Sequence, residues 1–174
     1  MFITLEGIDC AGKSWAAEYI SKKLGNCIYL KHWNTPKKGT PEEIALLRRT
    51  YRDILDFYIK IVEQQGGNLV VDRYYPSELV YSAVKRQYEA FDSYWYTELE
   101  YEVADLPHAL LYVHAPMEEV LKRLSFRGDT YIEPPELMQL EERYQKFLNT
   151  TLLNVKRILS GSEDLNEFLK GELL

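Results

Sequence analysis

The chain has 174 residues, enough for one domain with a sizeable core, and its balance of 46% hydrophobic and 28% charged residues is that of a globular protein. No apolar run is long enough to span a bilayer and the first residues do not read as a signal peptide, so a cytoplasmic protein with no membrane partner is expected. A net charge of −6 argues against a nucleic-acid partner held by neutralising many phosphates, and two cysteines, Cys10 and Cys27, exclude a zinc quartet.

Residues 2–5 read as a short buried strand, and residues 16–24 carry apolar positions at helical spacing. Between them stands Gly7-Ile8-Asp9-Cys10-Ala11-Gly12-Lys13-Ser14. Gly-x-x-x-x-Gly-Lys-Ser flanked by a strand and a helix is the pattern of a phosphate-binding loop. Gly7 and Gly12 let the backbone turn so that successive N–H groups, those of Cys10 and Ala11 included, point inward around phosphate oxygens. The following helix adds its unpaired amides and the positive end of its dipole. Lys13 then reaches the outer phosphates of a nucleotide, and the Ser14 hydroxyl stands where a Mg²⁺ ligand is needed.

Further along, residues 27–30 form a second predicted strand, and residues 41–62 a long helix with Thr40 as cap and Pro41 in its first turn. Gly66-Gly67 stops that helix before a β-branched strand at 68–72. A helix opens at 76–81, and helical, aromatic-rich spacing continues over 88–103. A fourth strand follows at 109–113, then a helix at 117–124, a mobile surface loop at 125–135, and a helix at 136–152. A last strand at 155–159 and a helix capped by Ser162 complete the pattern. Strands alternating with helices imply an α/β fold whose parallel sheet is covered on both faces, with ligands bound beyond the carboxyl ends of the strands. Asp72-Arg73 falls at such an end. There Asp72 can serve the Mg²⁺ shell and Arg73 can clamp a phosphate bidentately.

These blocks resemble the thymidylate kinase family of P-loop nucleoside monophosphate kinases. The matches are Phe2 to Asp9 running into Gly12-Lys13-Ser14, then Asp72-Arg73-Tyr74 with Ser77 and Tyr81, and Leu106-Pro107 before the fourth strand. The resemblance implies a three-layer P-loop kinase fold with five parallel strands in the order 2-3-1-4-5, one domain over 1–174 and a lid at about 123–135. It also implies ATP as donor with Mg²⁺, dTMP or a related pyrimidine deoxynucleoside monophosphate as acceptor, and a homodimer. On the same basis Asp9 holds the acceptor sugar, and Arg73 and Arg52 grip its phosphate. Cys10 and Ala11 leave the phosphate loop without an arginine, so Arg123 or Arg127 of the lid is expected to meet the transition state. Glu133 matches a lid glutamate.

The chain departs from the family at His32-Trp33-Asn34-Thr35-Pro36, at Arg48 where a stacking ring is common, and at Ser82 where a base-reading glutamine is common. Trp33 and Tyr51 are alternative rings for a base. Two other functions fit the loop: a deoxynucleoside kinase with a carboxylate base, and a nucleotide-binding regulator without catalysis.

Overall fold

The computed structural model describes residues 1–31, 38–128, 131–161 and 163–172. Five strands, β1 (Phe2–Glu6), β2 (Cys27–Lys31), β3 (Asn68–Asp72), β4 (His108–His114) and β5 (Val155–Leu159), form one parallel sheet in the order β2-β3-β1-β4-β5. This is the expected order. Phe2 of the central β1 pairs with Leu69 of β3 and with His108 of β4, so the loop after β1 leaves from the middle of the sheet's carboxyl edge.

The two-residue period of a strand decides what each face holds. Ile3 and Leu5, with Val70, Leu111 and Val113, pack against α1 (Lys13–Leu24) and α7 (Glu163–Glu172). Phe2, with Leu69, Val71, Leu110 and Tyr112, belongs to a larger core shared with α2 (Pro41–Phe57), α3 (Tyr75–Tyr81), α4 (Ser93–Ala104), α5 (Met117–Arg127) and α6 (Pro134–Leu148). The same alternation turns Glu6, at the end of β1, into that larger core.

Several boundaries differ from the sequence pattern for local reasons. The helix expected over 41–62 ends as α2 at Phe57 and runs on as a π-helical turn, Tyr58–Val62, and a 3₁₀ turn, Glu63–Gln65, before Gly66 closes it with φ 63°. The helical spacing expected from Tyr88 is interrupted. A π-helical turn, Ser82–Arg86, extends α3 until Gln87 adopts φ 56°, and α4 starts only where the Asp92 carboxylate accepts from the Trp95 amide. Within the expected loop at 125–135, α5 persists to Arg127. Glu133 and Glu136 form a capping box that starts α6 at Pro134, which ends at Leu148 rather than at residue 152. Ser162 and the stretch His32 to Pro36 lie outside the described residues.

The start of α3 is held by a buried acid on α4. Glu100 accepts from the Tyr75 hydroxyl at 2.5 Å, the Thr151 hydroxyl at 2.7 Å and the Leu152 amide at 3.0 Å. Replacing it leaves three donors without an acceptor, each costing on the order of 1–3 kcal/mol where it stays dry. Glu100→Ala is therefore expected to lower unfolding stability by about 3 kcal/mol, read from the urea midpoint; an unchanged midpoint would mean that this tie carries no stability.

Candidate active site

A cleft of about 610 Å³ opens at the carboxyl edge of the sheet, lined by the loop after β1, the ends of β2 and β3, the last turns of α5 and the turn after β5. Its floor is the phosphate loop. Gly7 has φ 138°, and a Cβ there would stand 2.3 Å from the Val113 carbonyl oxygen; Gly12 has φ 99°, and a Cβ there would stand 2.2 Å from Ser160 Oγ. Neither position admits a side chain without displacing its neighbour. Gly12 is the N-cap of α1 and no side chain caps that helix, which leaves its first-turn amides for an anion. Cys10, with φ 60°, lines the cleft, while Ala11 is buried beneath it.

Lys13 and Ser14 open α1 and face the cleft. The Lys13 ammonium donates to the Ile8 carbonyl at 2.6 Å and is almost sealed from water. Desolvation, reinforced by the nearby Arg73 charge, lowers its pKa to about 7. Ser14 Oγ donates to Asp72 Oδ2 at 2.6 Å, and the same oxygen accepts from the Tyr29 hydroxyl at 3.3 Å. A hydroxyl and a carboxylate so placed are the hard oxygen donors a divalent cation takes.

Arg73 follows β3 directly and has φ 75°, a left-handed backbone that a non-glycine residue adopts only where its surroundings enforce it. Its guanidinium donates to Asp9 Oδ1 at 2.7 Å, the Tyr81 hydroxyl at 3.0 Å, Ser77 Oγ at 3.1 Å and the Gly7 carbonyl at 3.3 Å. The Tyr81 hydroxyl donates in turn to Asp9 Oδ2 at 2.6 Å. Burial pushes the Asp9 carboxyl upward, yet the charges of Arg73 and Lys13, with hydrogen bonds from Tyr81 and Arg73, outweigh it and hold the group below its ordinary value.

From the opposite wall, Arg123 Nη1 donates to the Cys10 carbonyl at 3.2 Å and to Ser160 Oγ at 3.3 Å, while its Nε pairs with Glu119 at 3.0 Å. Arg127 lines the same cleft one turn further along α5. Arg52 is not brought there; it projects from α2 to an ion pair with Glu102 of α4. Tyr51 packs in the core, edge-on to Tyr74 and Phe91.

Glu6 carries no assigned role in the sequence reading. It is fully buried and accepts from the Tyr74 amide at 2.7 Å, Ser77 Oγ at 2.5 Å and the Tyr144 hydroxyl of α6 at 3.2 Å. The signal was available: a carboxylate four residues after Phe2, on the same face of a buried strand, must find donors. Trp15, Lys31 and Ser160 also line the cleft and were not singled out.

A strand, phosphate loop and helix at the centre of a parallel sheet ordered 2-3-1-4-5 define a P-loop nucleotide kinase. The family described as Thymidylate kinase matches residues 5–166, and the chain belongs to it; it is a nucleoside monophosphate kinase. Among its relatives is the SPbeta prophage-derived uncharacterized protein YorR of Bacillus subtilis, 27% identical over 97% of this chain and 94% of that protein. A probable thymidylate kinase of Archaeoglobus fulgidus is 25% identical over 96% of this chain and 90% of its own length. The crystal structure of YorR, in complex with phosphorylated GDP, superposes with a TM-score of 0.78 at 24% identity, covering 99% of this chain and 94% of YorR. A deoxyadenosine kinase from M. mycoides, solved with dCMP and dCDP, shares the fold at a TM-score of 0.56 and 20% identity, covering 99% of this chain and 98% of that one.

Burial raises the Glu6 carboxyl from an ordinary 4.5 to about 7, against the hydrogen bonds from Ser77 and Tyr74 and the charge of Arg73. A carboxyl that keeps its proton longer when folded loses stability as pH rises from 4.5 to about 7, on the order of 3 kcal/mol across that window, with no further loss above it. Glu6→Gln is expected to flatten this part of the stability profile, measured by urea unfolding between pH 4.5 and 8. Parallel profiles for the two proteins would refute the assignment.

Proposed function

We propose that the enzyme transfers the terminal phosphoryl group of ATP to the phosphate of a deoxynucleoside monophosphate. The observation that carries this reading is that a phosphate loop and a buried, pre-positioned guanidinium, Lys13 and Arg73, line one cleft. The backbone from Gly7 through Cys10 and Ala11 to Gly12 and the first turn of α1 cradle the donor phosphates, with Lys13 on the outer ones. Ser14 and Asp72 fit Mg²⁺, which when bound neutralises phosphate charge. Arg73 orients the acceptor phosphate and Asp9 the acceptor sugar. Arg123 and Arg127 approach from α5 to meet the charge that spreads over the transferred group and to help exclude water. An acceptor phosphate is ionised at neutral pH and needs no protein base. A homodimer in the cytoplasm belongs to the same reading and rests on the family likeness.

Phosphorylation of a nucleoside hydroxyl would require a basic carboxylate near the acceptor. Asp9 is held ionised by Arg73 and Lys13, which makes it a poor base, and this favours the monophosphate. ADP release with a panel of nucleosides and monophosphates separates the two, and tight ATP binding without turnover would identify a regulator.

Because Lys13 titrates near 7 in the free protein, bound phosphates should pull it back to its charged form. ATP binding is then expected to take up a proton and to weaken as pH rises from 7.5 to 9, read by calorimetry in buffers of different ionisation heat. Lys13→Ala should abolish the uptake and lower turnover by about 10²–10³-fold. Binding indifferent to pH, with no proton taken up, would remove Lys13 from the cradle.

A further inference from the structure

Trp15 stands immediately after the phosphate loop, lines the cleft and is 51% exposed, with no assigned part in phosphoryl transfer. A single exposed apolar side chain calls for no explanation by itself. This one differs because a second ring holds it in place: Trp15 stacks on Tyr19, one turn further along α1, with centroids 5.4 Å apart and planes 18° from parallel. Tyr19 is fixed in turn. Its hydroxyl donates to Asn166 Oδ1 of α7 at 2.6 Å, and the Lys23 ammonium lies 5.6 Å from its ring. The indole is thus supported from behind by Tyr19 while half of its surface stays open at the cleft.

A helix turns about 100° per residue, so consecutive residues at the start of α1 serve different walls. Lys13, with Ala16, Ala17 and Ile20, is on the buried face. Ser14 turns to the β3 side, where it donates to Asp72. Gly12, Trp15 and Tyr19 share the other flank: a Cβ on Gly12 would meet Ser160 Oγ, and Tyr19 meets Asn166 of α7. Trp15 lies between these two contacts, and helical side chains lean toward the N-terminal end of their helix, which here is the cleft. Asp72 and Arg73, which serve the cation and the acceptor, lie at the end of β3, with Asp9 paired to Arg73. A triphosphate whose outer phosphates meet Lys13 and face Arg73 therefore carries its base away from them, toward Trp15, Ser160 and Gly161.

We propose that Trp15 is a stacking platform for the base of the phosphoryl donor, and that this stack holds the base without reading its edge, so that ATP and GTP serve alike. Every base has a π face, and an aromatic ring accepts it whatever its hydrogen-bonding pattern. Telling guanine from adenine takes a polar group at the base edge; a carboxylate, which only accepts, suits the two adjacent N–H groups of guanine. Among the described residues that line the cleft, both carboxylates are engaged elsewhere, Asp9 with Arg73 and Tyr81, and Asp72 with Ser14 and Tyr29. No asparagine or glutamine is among those residues. At the Trp15 end Gly161 has no side chain, and Ser160 Oγ already accepts from Arg123 Nη1 at 3.3 Å. A purine covers more of the indole than a pyrimidine does, so CTP and UTP rank behind ATP and GTP.

Because this platform rests on the reading of the chain as a kinase that takes a nucleoside triphosphate, equilibrium binding tests it and product release reports on that reading. Calorimetric titration of the intact protein with ATP, GTP, CTP, UTP and inorganic tripolyphosphate, each with Mg²⁺, should show ATP and GTP within about threefold of each other and the two pyrimidines severalfold weaker. Trp15→Ala should weaken ATP and GTP by about tenfold, bring the four nucleotides level, and leave tripolyphosphate, which has no base, unchanged. Trp15→Phe should recover part of the loss, whereas Trp15→Leu, apolar but without a ring, should not. The side chain is half exposed, so all three variants should keep the parent's thermal midpoint closely. Tripolyphosphate weakened as much as ATP, ATP bound by Trp15→Ala as tightly as by the parent, or a preference above about tenfold for one purine would overturn the proposal. Nucleotide binding that depends on Trp15, with no ADP or GDP released in the presence of any monophosphate, would instead count against the kinase reading alone.

Discussion

A carboxylate sealed from water at the tip of a central strand has to be met by donors, and the donors that meet Glu6 come from the two elements that shape the acceptor side. The Tyr74 amide and Ser77 hydroxyl fix the entry to α3, and the Tyr144 hydroxyl fixes α6 over it. Ser77 also accepts from Arg73, so the guanidinium is held by a chain of bonds that begins inside the core. The phosphate loop starts one residue after Glu6, which gives the donor loop and the acceptor arginine a common origin on β1. Their relative position is a property of the sheet rather than of flexible side chains.

The cleft is organised before any substrate enters. Arg73 already spends its donors on Asp9, Ser77, Tyr81 and the Gly7 carbonyl, and its left-handed backbone aims it inward. An entering phosphate exchanges some of these bonds for its own and finds the guanidinium in place, which lowers the entropy lost on binding. The ion pair with Asp9 keeps the arginine from wandering while the site is empty, and its side chains are only 14% and 22% exposed. Lys13 is bent back onto the Ile8 carbonyl in the same spirit: a buried ammonium needs an acceptor until phosphate oxygens replace it.

The sequence made the strands and the phosphate loop legible because their signals are local. Apolar runs of strand length, the spacing of Gly7, Gly12 and Lys13, and a charged pair ending a β-branched run can each be read within a dozen residues. Helix ends were less legible where tertiary choices decide them. The spacing over 88–103 looks continuous, but Asp92 caps α4 and Gln87 breaks the chain before it. The family pattern named Arg52 as a phosphate contact, whereas the structure commits it to Glu102, a partner fifty residues away that no local pattern reveals. Glu6 escaped for the opposite reason. It reads as an ordinary acid in the chain, and only burial with donors from distant segments makes it costly and therefore informative.

The contact between Gly12 and Ser160 has a bearing on how the protein is made. These two residues lie far apart in sequence, and β1, made before every other strand of the sheet, must wait for β3 and β4 before it has any neighbour to pair with. During synthesis the nucleotide cradle thus exists as a sequence well before it exists as a shape, and its last wall arrives only with the turn after β5. A growing chain cut short ahead of that turn would carry every residue of the signature loop and still lack a finished pocket, so premature fragments should be silent toward nucleotide rather than weakly competent.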